Sequence, residues 1–400
     1  MPLYPWIQLK RYIEQVIMFP FVQAGKLVAR LNPLPEKEYD LFCFFPIYGL
    51  GGAEKVHASV LRAIPDKKVI VFFTRKSDEV EMKRFFTLPH VTIKDISRYT
   101  DNKWLYGFNF LYRGICAQYI NQQDHAPTVF NGQCNFAYKL FPHIRKSILK
   151  TELIHNAEKR FGWITFPYIP VMDKRAMITQ LIIDQHISFY RQLGIPSLYD
   201  SRITQIQNTV PVPEQYTVHS PGDTLKVYYA GRSGWPKRLY LILEIARKAL
   251  AAQLPIEFHF AGNFESEIPA DIRPHIHWHG LITDEKSMYD LHKQMDVLIM
   301  TSAFEGFPLS IMEAMSCGVA IVSTAVDGIR GNIIDGVAGL LIHETEEEAI
   351  VTSGLEKLKR LSADRELLQQ ISRNNYEYAV THFSETKFNK AYRDLFNFTD

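Results

Sequence analysis

The sequence predicts an α/β protein of two consecutive domains, each a parallel sheet with helices on both faces. Three observations predict it. At 400 residues the chain exceeds what one ordinary core serves. From Tyr39 onward short apolar runs alternate with helical stretches, as in a parallel sheet covered on both sides. Residues 207–223, with three prolines among turn residues, interrupt that alternation before it restarts.

The first half reads as an apolar strand at 41–46, a turn at 49–52 and a helix at 53–64. KVIVFFT at 68–74 is a second buried strand, and further apolar runs fall at 91–96, 128–130 and 148–154, with a helix at 104–120. After the linker come strand 225–230, helix 237–252, strands 256–261 and 275–279, helix 285–294, strand 297–300, helix 309–317 and strand 319–323. A last helix, 385–398, lies beyond them. The expected division is an N-terminal segment 1–35, a first domain 36–210, a second 211–382, and a terminal helix 383–400 that returns to the first. Two such domains imply a cleft, with ligands beyond the carboxyl ends of the strands.

The N-terminal segment differs in character. Trp6, Ile7, Leu9, Ile13, Val16 and Ile17 recur at helical spacing, and Lys10, Arg11, Lys26 and Arg30 face one acid, Glu14. Such a helix suits a membrane interface over residues 6–30 or packs on its own domain; both readings stay open. No apolar run reaches the ~18 residues that span a bilayer, and 23–25 (QAG) makes a poor cleavage site, so a cleaved signal is not expected.

Forty-five basic against 43 acidic residues leave a formal charge of +2. That excludes the basic surface of a general nucleic-acid binder. Cys43, Cys116, Cys134 and Cys317 form no C-x-x-C pair and stand near no histidine at finger spacing. Neither a disulfide framework nor a zinc finger is expected, and the thiols suit a reducing cytoplasm.

Chemistry concentrates in QMDVLIMTSAFEGFPLSIMEAMSCGVAIVST, residues 294–324. A buried strand runs into a loop carrying Glu305, Gly306, Phe307 and Pro308, and a helix begins near Leu309. The amides of that first turn suit an anion or sugar hydroxyls. Glu313, a turn later, can accept two hydrogen bonds from a vicinal diol such as ribose. In YYAGRSGWPKR, residues 228–238, Gly231 allows a tight turn, and Arg232 and Lys237 offer two cations to a diphosphate leaving group. The stretch Gly49-Leu50-Gly51-Gly52-Ala53-Glu54 joins the first strand to the first helix. It half-resembles a dinucleotide fingerprint, but the next strand ends Phe73-Thr74-Arg75 without the acid that would hold a ribose. His155 closes the strand at 148–154.

EGFPLSIMEAMSCG resembles the E-x7-E signature of retaining GT-B glycosyltransferases of family 4, with Glu305 and Glu313 as its two acids. The resemblance is strongest over 225–345, extends moderately to 39–65 and 148–156, and includes the final FSETKFNKAYRDLF. It implies a GT-B fold, two Rossmann-like domains facing across a cleft. It implies a retaining transfer of sugar from a nucleotide diphosphate sugar to a hydroxyl acceptor, carbohydrate or lipid-linked, in glycan, polysaccharide or glycolipid biosynthesis. The residues it assigns to catalysis are His155, Glu305, Arg232 and Lys237. Donor binding falls to Gly51, Gly52, Arg232, Lys237, Ile282, Glu305, Gly306, Phe307, Leu309 and Glu313, with 280–282 receiving the base through its main chain. Three positions depart from the pattern: Arg238 replaces a glycine, and Arg330 and Gly331 replace a Pro-Glu pair.

No D-x-D triplet occurs, so no metal or cofactor is expected at the diphosphate, and Arg232, Lys237 and helix amides take its place. No P-loop and no G-x-S-x-G elbow occur. The alternatives are another GT-B activity, such as a nucleotide-sugar epimerase or a phosphorylase, or a catalytically silent nucleotide-binding protein. The expected compartment is the cytoplasm, at the inner membrane face if residues 6–30 bind lipid. Aromatic stretches at 104–112 and 161–168 are expected to shape the acceptor site.

Overall fold

A computed structural model describes residues 3–49, 51–102, 106–156, 162, 164–216 and 222–398. Leu50, Trp104, Phe161 and residues 217–221 of the linker, all named above, lie outside the described residues. The chain forms two compact units, Met1–Gln207 with Thr386–Asp400, and Asn208–Glu385.

Unit 1 holds seven strands: β1 (Leu41–Phe45), β2 (Val69–Phe73), β3 (Val91–Asp95), β4 (Thr128–Asn131), β5 (Leu149–Ile154), β6 (Lys174–Met177) and β7 (Ile203–Gln205). Their order is β3-β2-β1-β4-β5-β6-β7 and every pairing is parallel. β1 and β2 are buried at every residue, as strands covered on both faces must be. Phe44 stacks on Phe72 at 5.1 Å within that core.

Unit 2 holds β8 (Leu225–Ala230), β9 (Ile256–Ala261), β10 (Ile276–Trp278), β11 (Val297–Met300), β12 (Ala320–Thr324) and β13 (Gly339–Ile342). The order is β10-β9-β8-β11-β12-β13, again parallel throughout. One apolar cluster under this sheet includes Val227, Phe258 and Ile299. Another, on the opposite face, includes Tyr228, Ala261 and Leu298. The alternation along each strand thus fills both faces.

Both sheets reverse direction beside their first strand, between β1 and β4 and between β8 and β11. Such switch points leave a crevice at the strands' carboxyl ends. The loops that follow β1, β8 and β11 are the three glycine- or acid-bearing loops picked out in the sequence.

The helix Tyr4–Leu31 runs through Pro20 and packs in unit 1 against the helix Tyr106–Asn121. A Cβ on Gly25 would lie 2.0 Å from Leu111 O, and one on Gly114 2.0 Å from Val22 O. Only glycines permit that crossing. The helix buries Tyr4, Ile7, Val22 and Ala29, yet exposes Trp6, Tyr12, Ile13, Val16, Ile17 and Phe19. Among the described residues no helix is long and apolar enough to cross a membrane.

The last helix, Glu385–Phe396, lies on unit 1: Thr128 Oγ1 donates to Phe396 O (3.1 Å), and Arg393 pairs with Asp66 (2.7 Å). The linker's 211–216 stretch packs on unit 2, where Tyr289 and Tyr376 donate to Pro211 O and Pro213 O. The four cysteines are buried as free thiols.

Three details differ from expectation. The helix expected from residue 237 begins at Leu239, because Arg238 before it is left-handed (φ 52°, ψ 45°). Gly231 does not supply the turn's positive φ; Gly234 does (φ 84°), while Gly231 gives space, since a Cβ there would sit 2.9 Å from Tyr229 Oη. Residues 339–342, where no strand was expected, form the edge strand β13.

Candidate active site

In unit 2 the loops after β8 and β11 lie side by side across the switch point, and a network of bonds joins them. Ala303 N–H donates to Pro236 O (2.8 Å). The Arg238 guanidinium donates to Thr301 O (2.7 Å) and Ser302 O (3.2 Å), and Thr301 Oγ1 donates back to Arg238 O (3.0 Å). Lys237 Nζ reaches Glu305 Oε1 at 2.5 Å. Arg238, the residue that replaces a glycine, therefore keeps the left-handed turn. Its side chain staples the two loops, offsetting about 1–2 kcal/mol of left-handed strain.

Tyr229 Oη donates to Arg232 O (2.5 Å), holding that residue's backbone. The Arg232 side chain is exposed, and among the described residues it enters no ion pair. Two cations so placed, one held by a carboxylate and one open to solvent, can meet a diphosphate.

The helix Leu309–Ser316 starts at Pro308, whose carbonyl accepts from Ile311 and Met312 N–H. Proline loses nothing there, because the first amides of a helix have no partner within it. Gly328 N–H donates to Glu305 O (3.2 Å), and a Cβ on Gly328 would fall 1.4 Å from Gly306 O. This contact fixes the backbone of Glu305 and Gly306 against the helix Asp327–Asn332. Phe307 is buried in the apolar cluster and meets the Phe383 ring at 6.2 Å; Leu309 and Ile282 pack on the same cluster. These three anchor the loops through packing. Gly280 has φ 68°, and its carbonyl accepts from Gly262 N–H (2.8 Å).

Glu313 is buried on the first turns of that helix, and the sequence had not shown what stands behind it. His292, fully buried, puts Nε2 3.7 Å from Glu313 Oε2 and Nδ1 2.5 Å from Tyr228 Oη. Burial, with Cys317 and Glu313 nearby, pushes the Tyr228 hydroxyl well up. It stays protonated and donates to Nδ1, which leaves Nε2–H facing the carboxylate. His292 lies 21 residues from Glu313 on another helix, and no local pattern marks it.

Unit 1 gathers a separate set. Gly51 caps the helix Gly52–Arg62 with extended backbone (φ −117°, ψ 162°), and a Cβ on it would meet Glu54 Oε2 at 2.0 Å. On that helix His57 is buried and stacks on Phe45 at 4.3 Å. His155, at the end of β5, places Nε2 3.2 Å from His57 Nε2. One imidazole must donate and the other accept. Burial pushes His155 down to about 4 and, with His155 beside it, His57 well below its ordinary value. Both rings are neutral at pH 7. A Cβ at Gly132 would strike His57 Nε2 at 2.5 Å, so the glycine after β4 makes the room. His57 was not legible in the sequence; its partner is 98 residues away.

The site residues expected from sequence thus fall into two groups. Gly51, Gly52 and His155 lie in unit 1, and Arg232, Lys237, Ile282, Glu305, Gly306, Phe307, Leu309 and Glu313 lie in unit 2.

A family match falls within unit 2. Residues 224–360 match the family described as glycosyl transferases group 1. A trehalose synthase of Thermococcus litoralis is 33% identical over 102 residues, 26% of this chain and 23% of that protein. The match therefore spans about a quarter of each. Two solved structures align along most of the chain. The pneumococcal O-GlcNAc transferase GtfA, in complex with UDP and GlcNAc, has a TM-score of 0.73 at 12% identity, covering 90% of this chain and 99% of that one. Anabaena HepE, in complex with UDP and glucose, has a TM-score of 0.67 at 15% identity, covering 89% and 99%. The fold is GT-B, with two parallel-sheet Rossmann-like domains.

Proposed function

We propose that this chain is a retaining glycosyltransferase, moving a sugar from a nucleoside diphosphate sugar to a hydroxyl on a carbohydrate or lipid-linked acceptor. The observation that carries the reading is the Lys237–Glu305 pair, which joins the two loops at the switch point of unit 2. Glu313 holds the ribose diol, backed by His292. Arg232 and Lys237 hold the diphosphate as negative charge builds on it. Glu305 and the amides of 306–309 position the donor sugar. With two cations in place and no D-x-D motif, the leaving group needs no metal. The acceptor hydroxyl attacks from the face the phosphate leaves, through a short-lived oxocarbenium-like state, and a phosphate oxygen takes its proton. His155, with Gly51 and Gly52, is the contribution we assign to unit 1.

UDP-sugars are the first donors to try, since the solved relatives named above hold UDP. The test is donor turnover followed by proton NMR of the product's anomeric centre. Release of nucleotide with the donor's configuration kept in the product supports the reading; an inverted product overturns the retaining mechanism.

The helix Tyr4–Leu31 supports a membrane-facing acceptor. Its exposed face carries Trp6, Tyr12, Ile13, Val16, Ile17 and Phe19 beside Lys10, Lys26 and Arg30, a combination suited to an anionic surface. We place the protein in the cytoplasm, on the inner face of the membrane. Cosedimentation with anionic vesicles at low salt, weakened by Trp6→Ala with Ile17→Ser, is the expected result. Failure of the intact chain to sediment contradicts it.

A further inference from the structure

A second cluster lies on the outer edge of the unit 2 sheet, on β9 and β10. Glu257 and His259 are two apart on β9 and so share one face of the sheet. His277 on the edge strand β10 is the register partner of His259, which brings it to the same face. One ligand-capable atom from each of Glu257, His259 and His277 lies within 4.8 Å of those of the other two.

The independent observation concerns His259. Its side chain is 90% buried, and its Nε2 has no hydrogen-bond partner. That nitrogen stands 3.7 Å from Glu257 Oε2, too far for a hydrogen bond. The other ring nitrogen, Nδ1, is engaged with His279 Nε2 at 3.0 Å. With Nδ1–H donating there, Nε2 presents a lone pair to the carboxylate, an unfavourable facing that the opposite tautomer, with Nε2–H toward Glu257, avoids without an ion. A cation between them removes the conflict. The histidine whose outer nitrogen donates to a fixed acceptor is also the tautomer that metal-bound histidines adopt.

We propose that Glu257, His259 and His277 bind a divalent transition metal, zinc foremost, leaving a fourth position to solvent. Two imidazoles and a carboxylate are a borderline donor set that suits zinc over calcium or magnesium. In a tetrahedral site with bonds near 2.1 Å, ligand atoms stand ~3.4 Å apart. The His259 and His277 rings stack at 4.5 Å and 17°, so that geometry requires the exposed His277 ring to turn and Glu257 to approach. The ion would tie the edge strand β10 to β9. Through His279 it would also set the start of the 280–282 loop. The sequence hid this site, because its ligands are two and eighteen residues apart on two strands and match no metal motif.

The experiment uses the untagged full chain, stripped with chelator, titrated with Zn2+ against a chromophoric chelator. One equivalent binding with a dissociation constant at or below about 1 µM is expected. Glu257→Gln and His277→Ala each replace an exposed side chain, and each should weaken binding about tenfold or more. Co2+ should give the visible absorption of a tetrahedral site in the native chain and lose it in His277→Ala. Absence of stoichiometric zinc binding, or binding that neither substitution changes, overturns the proposal.

Discussion

Lys237 Nζ and Glu305 Oε1 stand 2.5 Å apart, from two loops 68 residues distant in sequence. Their side chains are 22% and 12% exposed, so each is partly desolvated and depends on the other. Lys237→Ala should reduce turnover by about 10²-fold or more, since it removes charge at the developing phosphate. Because it also strands Glu305, it should cost about 1–2 kcal/mol of stability in the absence of donor. The double variant with Glu305→Gln should be less destabilised than the two single effects added. Strict additivity in that cycle contradicts a coupled pair.

Glu313 is assigned to the ribose diol. Glu313→Gln should weaken nucleoside diphosphate binding by tenfold or more, as hydrogen bonds to a charged group contribute about 1.5–3 kcal/mol. A 2′-deoxynucleotide should bind the native chain less well than its ribose counterpart, and the variant should lose that preference. Calorimetry with both nucleotides measures this; a preference kept in the variant removes Glu313 from the ribose.

Arg238 combines a left-handed backbone with two donated bonds to Thr301 O and Ser302 O. Arg238→Ala keeps the strain and loses the bonds, and should cost about 1–3 kcal/mol. Arg238→Gly relieves the strain while losing the same bonds, and should cost less. Denaturant unfolding of the two variants ranks them, and an alanine form as stable as the glycine form contradicts the account.

The His57–His155 pair gives a pH signature. His155 is held at about 4 and His57 well below its ordinary value, against about 6.5 in an unfolded chain. As pH falls from about 6.5 toward 4, the unfolded chain takes up protons that the folded chain refuses. Folding stability is therefore intact above that window and declines within it. The double variant His57→Gln, His155→Gln should show a shallower decline in melting temperature between pH 7 and 5. An unchanged decline would assign the effect to other buried histidines, such as His186, which burial pushes down to about 3.

What the sequence made legible follows from how local each signal was. The strand Val297–Met300 is wholly apolar, Pro308 marks the helix start, and Glu305 and Glu313 stand at one spacing within a single segment. β6 was not legible. Its sequence, KRAM, reads as polar. Yet Arg175 is fully buried, because Glu152 on β5 takes its charge and Tyr138 bonds the same carboxylate. β7, three residues long and largely exposed, carries no apolar pattern at all. His57 and His292 were missed for a related reason: each acts through a side chain reached only after the chain folds. The replacement of glycine by Arg238 was visible, but its compensation by carbonyls 63 and 64 residues away was not.

Unit 2 is proposed to hold a nucleoside diphosphate between Arg232, Lys237 and Glu313. Thermal unfolding with a panel of UDP, GDP and ADP, on the native chain and on Arg232→Ala, tests it most directly, because a ligand that binds only the folded state raises the melting temperature by mass action. The expected result is a rise with one nucleotide that the variant loses. A native chain unmoved by all three, or a shift that survives in Arg232→Ala, contradicts it.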